Sequence, residues 1–296
     1  MIKYFKKAFQ ITNDNIVLTT PLVLFLFLFS IYLGVAKGAP ENIQSAILLL
    51  FTILFMISAF LAGWFFMVKK AVALDKDEVI ADEEKSKASF DLLKEVPTGI
   101  GEYFLPFVGA SIFYTLIIML LIFITYQIGM HFIGNPGLHY EQLKTGLMSA
   151  EALKEMLTKM PHEQMIRLQN WNILLFVVTA FYSFITMFWG AQIVMKTKNP
   201  VLAFFQSVGI IFKHPLSSML LFLYISFINF IVSLINTVSN SNPILYFISM
   251  LIYFYFLVYI VVLIFLYYDR EEVQGVINDE QAENNSDSGS DSDGEN

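Results

Sequence analysis

No cysteine occurs in the 296 residues, which excludes disulfides, thiolate nucleophiles, iron–sulfur clusters and cysteine-based zinc sites. Charge is scarce as well. Asp, Glu, Lys and Arg make up 15% of the chain, against about 25% in soluble domains. No G-x-S-x-G, phosphate-binding loop or dinucleotide fingerprint is present. The usual frameworks for acyl, phosphoryl and hydride transfer are therefore missing, and no enzyme or cofactor site is expected.

What the chain has instead is apolar bulk. It is 56% hydrophobic and 16% aromatic, with 30 Phe, more than a soluble core of this length accommodates. A helix needs about 20 mostly apolar residues to cross the hydrocarbon layer of a membrane. Six stretches meet that length, at about 16–36, 44–68, 103–129, 172–195, 216–238 and 243–268, none with a charged residue at its centre. The sequence thus predicts an all-α, polytopic helical membrane protein with about six transmembrane helices over residues 1–270. Lys3, Lys6 and Lys7 precede the first stretch as they would a signal peptide. Its apolar run is longer than the roughly 7–15 residues of a signal core, and no small-x-small cleavage site follows, so it reads as a retained span.

The net charge of −7 describes the C-terminus more than the body. Residues 269–296 carry ten acids and one base, Arg270; the remainder carries 15 acids and 17 bases. Residues 271–296, acidic, rich in Ser and Gly and free of aromatics, have the composition of a disordered tail. Such a tail fits a cytosolic or membrane protein partner, and nothing basic enough for nucleic acid is present. With the N-terminus in the cytoplasm, thirteen Lys and Arg fall in inner segments and five in outer ones, the bias that sets orientation. Both termini are then cytoplasmic. Trp64 and Trp189 near inner ends, and Trp171 at an outer start, suit headgroup depth.

One phrase recurs. In "AFFQSVGIIFKHPL" (203–216) and the two residues before it, Val201, Phe204, Phe205, Val208, Ile211 and Phe212 keep helical spacing. Pro200 suits a first turn and Pro215 ends the continuity. At the start of the chain Ala8-Phe9 leads to Pro21-Leu22, with Ile2, Phe5, Phe9 and Thr12 sharing a face. A looser copy runs from Ser89-Phe90 to Pro106-Phe107, with Phe90, Leu93 and Val96 on one side. Each copy is followed by two spans, giving three amphipathic-helix-plus-two-span units. Each amphipathic helix is expected to lie in the inner headgroup region, apolar face toward lipid and Lys toward anionic headgroups.

Between the third and fourth spans, residues 130–171 form a helical outer loop. "SAEALKEMLTKM" and "PHEQMIRLQN" read as two short helices carrying i, i+4 ion pairs, the second starting at Pro161. His131, His139 and His162 lie in or beside it at spacings that match no metal motif; His214 reads as a headgroup contact. The acidic run "DKDEVIADEEK" within 71–97 reads as a solvated linker, and "GIGEY" (99–103) as a bend. Within the spans, small polar residues recur on single faces: Ser218, Ser226, Asn229, Ser233 and Asn236 in the fifth, Thr179, Ser183 and Thr186 in the fourth, Tyr246, Ser249 and Tyr253 in the sixth. Such faces either make interhelical hydrogen bonds, worth about 0.6 kcal/mol each on average, or line a cavity for a small ligand or headgroup. The absence of intramembrane ionisable residues argues against a proton-coupled pump.

The last span closes with Tyr267-Tyr268-Asp269-Arg270. That phrase is similar to the Tyr-Tyr-Asp-x-Arg-like ending of bacterial membrane proteins related to the membrane domain of glycerophosphodiester phosphodiesterases, and of six-span families near them. Here Arg follows Asp directly. The amphipathic-helix-then-Pro-span phrase also resembles those families. The resemblance implies a non-catalytic unit of the bacterial cytoplasmic membrane, with no catalytic residues to carry over; the 130–171 insertion and the acidic tail depart from it. Two functions fit the whole reading: a non-enzymatic, membrane-organising or lipid-interacting protein, or a transporter or permease subunit for a small uncharged or lipidic substrate.

Overall fold

The computed structural model describes residues 2–35, 42–75, 89–135, 158, 160–239 and 242–287, the stretch 270–287 as backbone. Nine helices account for most of them: α1 (Ile2–Asp14), α2 (Thr19–Val35), α3 (Ile43–Leu74), α4 (Glu95–Phe132), α5 (His162–Thr186), α6 (Trp189–Met195), α7 (Pro200–Lys213), α8 (Pro215–Ser239) and α9 (Pro243–Asp287). No strand occurs among the described residues. Six helical segments are long and apolar enough to cross a membrane: Ile16–Val35, Ile43–Leu74, Ser89–Phe132, His162–Met195, Pro215–Ser239 and Pro243–Asp269. The chain divides into two compact units, residues 1–111 with 186–296, and residues 112–185.

The larger unit is built on α9. Its stretch from Val258 to Tyr268 is almost wholly buried, and Tyr267 and Tyr268 are among the most enclosed side chains in the protein. Tyr267 stacks on Phe188 with ring centroids 5.5 Å apart and takes the edge of Tyr4 at 5.9 Å. The phrase that closes the last span is therefore core. α9 also continues to Asp287, although the composition of 271–296 predicts disorder. Glu, Gln and Ala are good helix formers and no Pro interrupts. Extending an existing helix avoids the unfavourable nucleation step. Residues 288–296 lie outside the described set, as does most of the acidic run at 75–85.

α3 starts on a reciprocal cap, Ser45 N–H donating to Asn42 Oδ1 at 2.8 Å. It crosses α4 where both helices carry glycine. A Cβ at Gly63 would meet Val96 Cγ1 at 2.8 Å, and one at Gly99 would meet Phe66 Cβ at 2.6 Å. Gly99 is thus a close-approach point inside a helix rather than a bend, the small-residue packing that apolar solvent favours.

The second copy of the recurring phrase is also placed differently. Pro21 is the third residue of α2, which follows a 3-10 turn at Ile16–Leu18. Pro97 is the third residue of α4, which follows a 3-10 turn at Leu92–Lys94. The structural counterpart of Pro21 is therefore Pro97, while Pro106 sits inside α4. A first-turn proline costs no intrahelical bond, since those N–H groups have no carbonyl to reach.

In the smaller unit, α4 ends at Phe132, and Gly134 just beyond it, with a positive φ of 86°, returns its N–H to the Gly129 carbonyl at 3.0 Å. The Trp171 ring lies where a Cβ on Gly129 would be. Tyr114 and Tyr182 pack with centroids 5.0 Å apart. α5 runs from His162 directly to Thr186, so the predicted second loop helix and the fourth span are one helix. The predicted helix over 149–160 falls almost entirely outside the described residues.

Candidate functional site

Two sets of residues have claims on function: the joints of the amphipathic helices and the polar faces within the spans. The joints begin with burial. On α1 the buried residues are Ala8, Ile11 and Thr12; on α7 they are Ala203, Ser207 and Ile211. Ser89 is buried too. The side chains displayed outward are large and apolar: Ile2 and Phe9 at 83% and 51% exposure, Phe90 at 68%, Phe205 and Phe212 at 62% and 75%. Periodicity alone assigns Thr12 to the same face as Ile2 and Phe9. In the structure the small-residue side of the helix is buried against the bundle, Ile2 faces out, and Phe9 is about half exposed while its ring meets the edges of Tyr255 and Tyr259. The recurring Ala/Ser-Phe pair marks the boundary between the buried and the exposed side.

Tryptophans close the α1–α2 turn and the start of α7, and a third closes the end of α4. Trp64 donates its indole N–H to the Leu18 carbonyl at 2.9 Å, in the turn between α1 and α2. Trp189 donates to the Pro200 carbonyl at 2.8 Å, at the start of α7. Trp171 does the same to Gly134 at 3.0 Å. Trp64 and Trp189 are 5% exposed, so these rings serve the joints and not an outward-facing belt. Asn199 caps α7 through its side-chain oxygen, 3.1 Å from the N–H groups of Val201 and Leu202.

A polar cluster lies beside the α6–α7 joint. Lys69 Nζ and Tyr103 Oη donate to the Val194 carbonyl at 2.8 and 3.1 Å. Lys198 pairs with Glu102 at 3.0 Å and sits 5.3 Å from the centre of the Tyr103 ring. Gln192, buried on α6, donates to Gln206 on α7. Sequence reasoning missed this cluster, because Lys69 and Lys198 enter the orientation rule only as charges. The one local signal was Asn199-Pro200, a helix-start pair.

The polar faces separate into two kinds. Asn236 on α8 accepts a 2.9 Å hydrogen bond from Ser249 on α9, and Ser218 is fully buried. Ser226, Asn229 and Ser233 are exposed, as are Thr179 and Ser183 on α5, while Thr186 is half-buried. Tyr246 and Tyr253 are also exposed. Of the α8 and α9 positions singled out, the structure joins Asn236 to Ser249; it places Ser226, Asn229 and Ser233 on the outer surface of α8. Among the described residues no group of three or more His, Asp or Glu is placed to hold a metal ion. His131 packs edge-on against Phe132, and His139 lies outside the described residues.

Six helices long and apolar enough to cross a membrane mark a multi-pass helical membrane protein. No family model, curated protein or solved structure matches the chain.

Proposed function

We propose that this is a non-enzymatic protein of the bacterial cytoplasmic membrane, with both termini cytoplasmic, that organises lipid along one leaflet and engages a partner protein through its acidic C-terminal segment. The observation that carries the reading is the two-sided build of the amphipathic segments. Ala8, Ser89 and Ala203 are held against the bundle while Phe9, Phe90, Phe205 and Phe212 stay exposed, with Lys3, Lys6, Lys94 and Lys213 exposed on the same segments. Apolar rings beside basic side chains match the boundary between acyl chains and anionic headgroups. Each buried Phe contributes about 1.5–3 kcal/mol, and each Lys near an anionic surface about 1 kcal/mol. The spans already anchor the chain, so this energy goes into ordering the lipids around it.

The experiment is mass spectrometry of lipids that co-purify with the gently extracted chain, native and Phe9→Asn/Phe205→Asn/Phe212→Asn. Enrichment of anionic lipid by the native protein, reduced at least threefold in the variant at equal abundance, supports the proposal. Equal lipid composition in both would sink it.

The runner-up, a permease subunit, draws its support from the polar residues of α8. It requires Asn229→Leu or Asn236→Leu to abolish flux of a small uncharged solute without lowering abundance. Loss of stability in Asn236→Leu instead marks the Asn236–Ser249 bond as structural.

A further inference from the structure

We infer that α8 is the contact helix of a homodimer, in which the exposed stripe Ser226–Asn229–Ser233 meets the same stripe of a second copy. The argument starts from depth. α8 runs from Pro215 to Ser239, which puts Asn229 near its middle and hence near the centre of the hydrocarbon layer. There the carboxamide has no water to bond with, and an unmet amide in hydrocarbon is penalised. Asn229 spends one N–H within its own helix, on the Ile225 carbonyl at 3.0 Å. Its carbonyl oxygen and second N–H have no partner among the described residues, and the residue is exposed.

The spacing says what kind of surface this is. Met219, Phe222, Ser226, Asn229, Ser233 and Asn236 recur at alternating intervals of three and four residues, the seam of a left-handed helix pair. The small hydroxyl residues on either side of Asn229 let two backbones approach closely. Asn236, at the end of the seam, is already held by Ser249; Ser226, Asn229 and Ser233 are the part left open.

Symmetry then selects the occupant. Two copies inserted in the same direction are related by a two-fold axis along the membrane normal, so each seam residue faces its own counterpart. A seam of Lys or Glu would repel itself. A carboxamide does not, because its N–H₂ carries partial positive charge and its C=O partial negative charge, and each complements the other across the axis. Ser hydroxyls have the same dual character. A single polar residue in such a seam also fixes register. The inference stands apart from the lipid proposal, since it uses none of the amphipathic segments.

The absence of cysteine makes the test direct. Single-cysteine full-length chains, Ser226→Cys, Ser233→Cys, Leu220→Cys and Phe227→Cys, are co-expressed as two differently tagged copies and oxidised in the native membrane. The expected result is a disulfide product carrying both tags at 226 and 233 and little at 220 and 227, which lie exposed off the seam. In purified chain reconstituted in vesicles, Asn229→Leu should weaken self-association about three- to thirtyfold, the range for one interhelical polar contact. Asn229→Gln, which keeps donor and acceptor, should restore most of it. Equal cross-linking at all four positions would overturn the inference. So would none at 226 and 233, or a product containing a different protein.

Discussion

α1 and α7 carry the same Ala-Phe pair and are attached in different ways. α7 is held by its own neighbourhood: Asn199 caps it, Trp189 reaches the Pro200 carbonyl and Gln192 reaches Gln206. α1 is held by the far end of the chain. Phe5 stacks on Tyr224 with centroids 3.9 Å apart, Phe9 meets the edges of Tyr255 and Tyr259, and Tyr255 donates to Asn13 at 2.6 Å. The same local phrase therefore yields the same division into a buried small side and an exposed Phe side, but through contacts of opposite sequence range. Short-range closures cost little loop entropy and form early. On that ground α7 is expected to dock once its own segment is inserted, and α1 only after α8 and α9.

Removing the two tryptophans in turn tests whether the two attachments are independent. Trp64→Ala and Trp189→Ala should each cost about 3–5 kcal/mol locally. The readout is maleimide labelling of single cysteines at Thr12 and Ser207, both buried, in the otherwise cysteine-free chain. Trp64→Ala should expose the Thr12→Cys thiol and leave Ser207→Cys protected; Trp189→Ala should do the reverse. If either change opens both sites, the two joints form one cooperative unit and the distinction fails. A smaller effect comes from overfilling the contacts. Ala8 and Ala203 are wholly buried, and enlarging either to Leu should cost about 1–3 kcal/mol. Ala8→Leu should release α1 at lower temperature than Ala203→Leu releases α7, because Asn199 caps the start of α7 while α1 is seated by its contacts with α8 and α9.

What was legible in the sequence follows from the same contrast of range. The six spans are properties of continuous runs, and each appears as a helix long enough to cross. The Ala-Phe phrase was visible because it repeats, and the ends of α7 because Pro200 and Pro215 are local signals. The buried side of α1 was not visible, since α1 is seated by Tyr255, Tyr259 and Tyr267 of α9, more than two hundred residues away. Gly99 looked like a bend because glycine punctuates loops; only the partner Gly63 shows that it serves a helix crossing. Spacing from Ser89-Phe90 points to Pro106 as the proline of the second copy, whereas the 3-10 turn at Leu92–Lys94 assigns that role to Pro97. On α8 the polar residues were legible as one stripe, but their division into an Asn236–Ser249 bond and an exposed remainder depends on where α9 lies.

The least effect, and the one that separates packing from charge, is expected at Lys7. Its ammonium pairs with Asp75 at 2.8 Å, with the two side chains 31% and 17% exposed, and so ties α1 to the end of α3. A partly buried pair that solvent still reaches contributes about 1 kcal/mol and is screened in part by salt. Lys7→Gln should therefore raise labelling at Thr12→Cys by no more than about fivefold, and 0.5 M salt, roughly halving the Debye length, should reproduce most of that change in the native chain. Labelling at Ser207→Cys should not move, because none of the bonds that anchor α7 involves Lys7. A response to Lys7→Gln as large as that to Trp64→Ala would mean that charge rather than ring packing seats α1. The amphipathic segment would then be released by ionic strength alone.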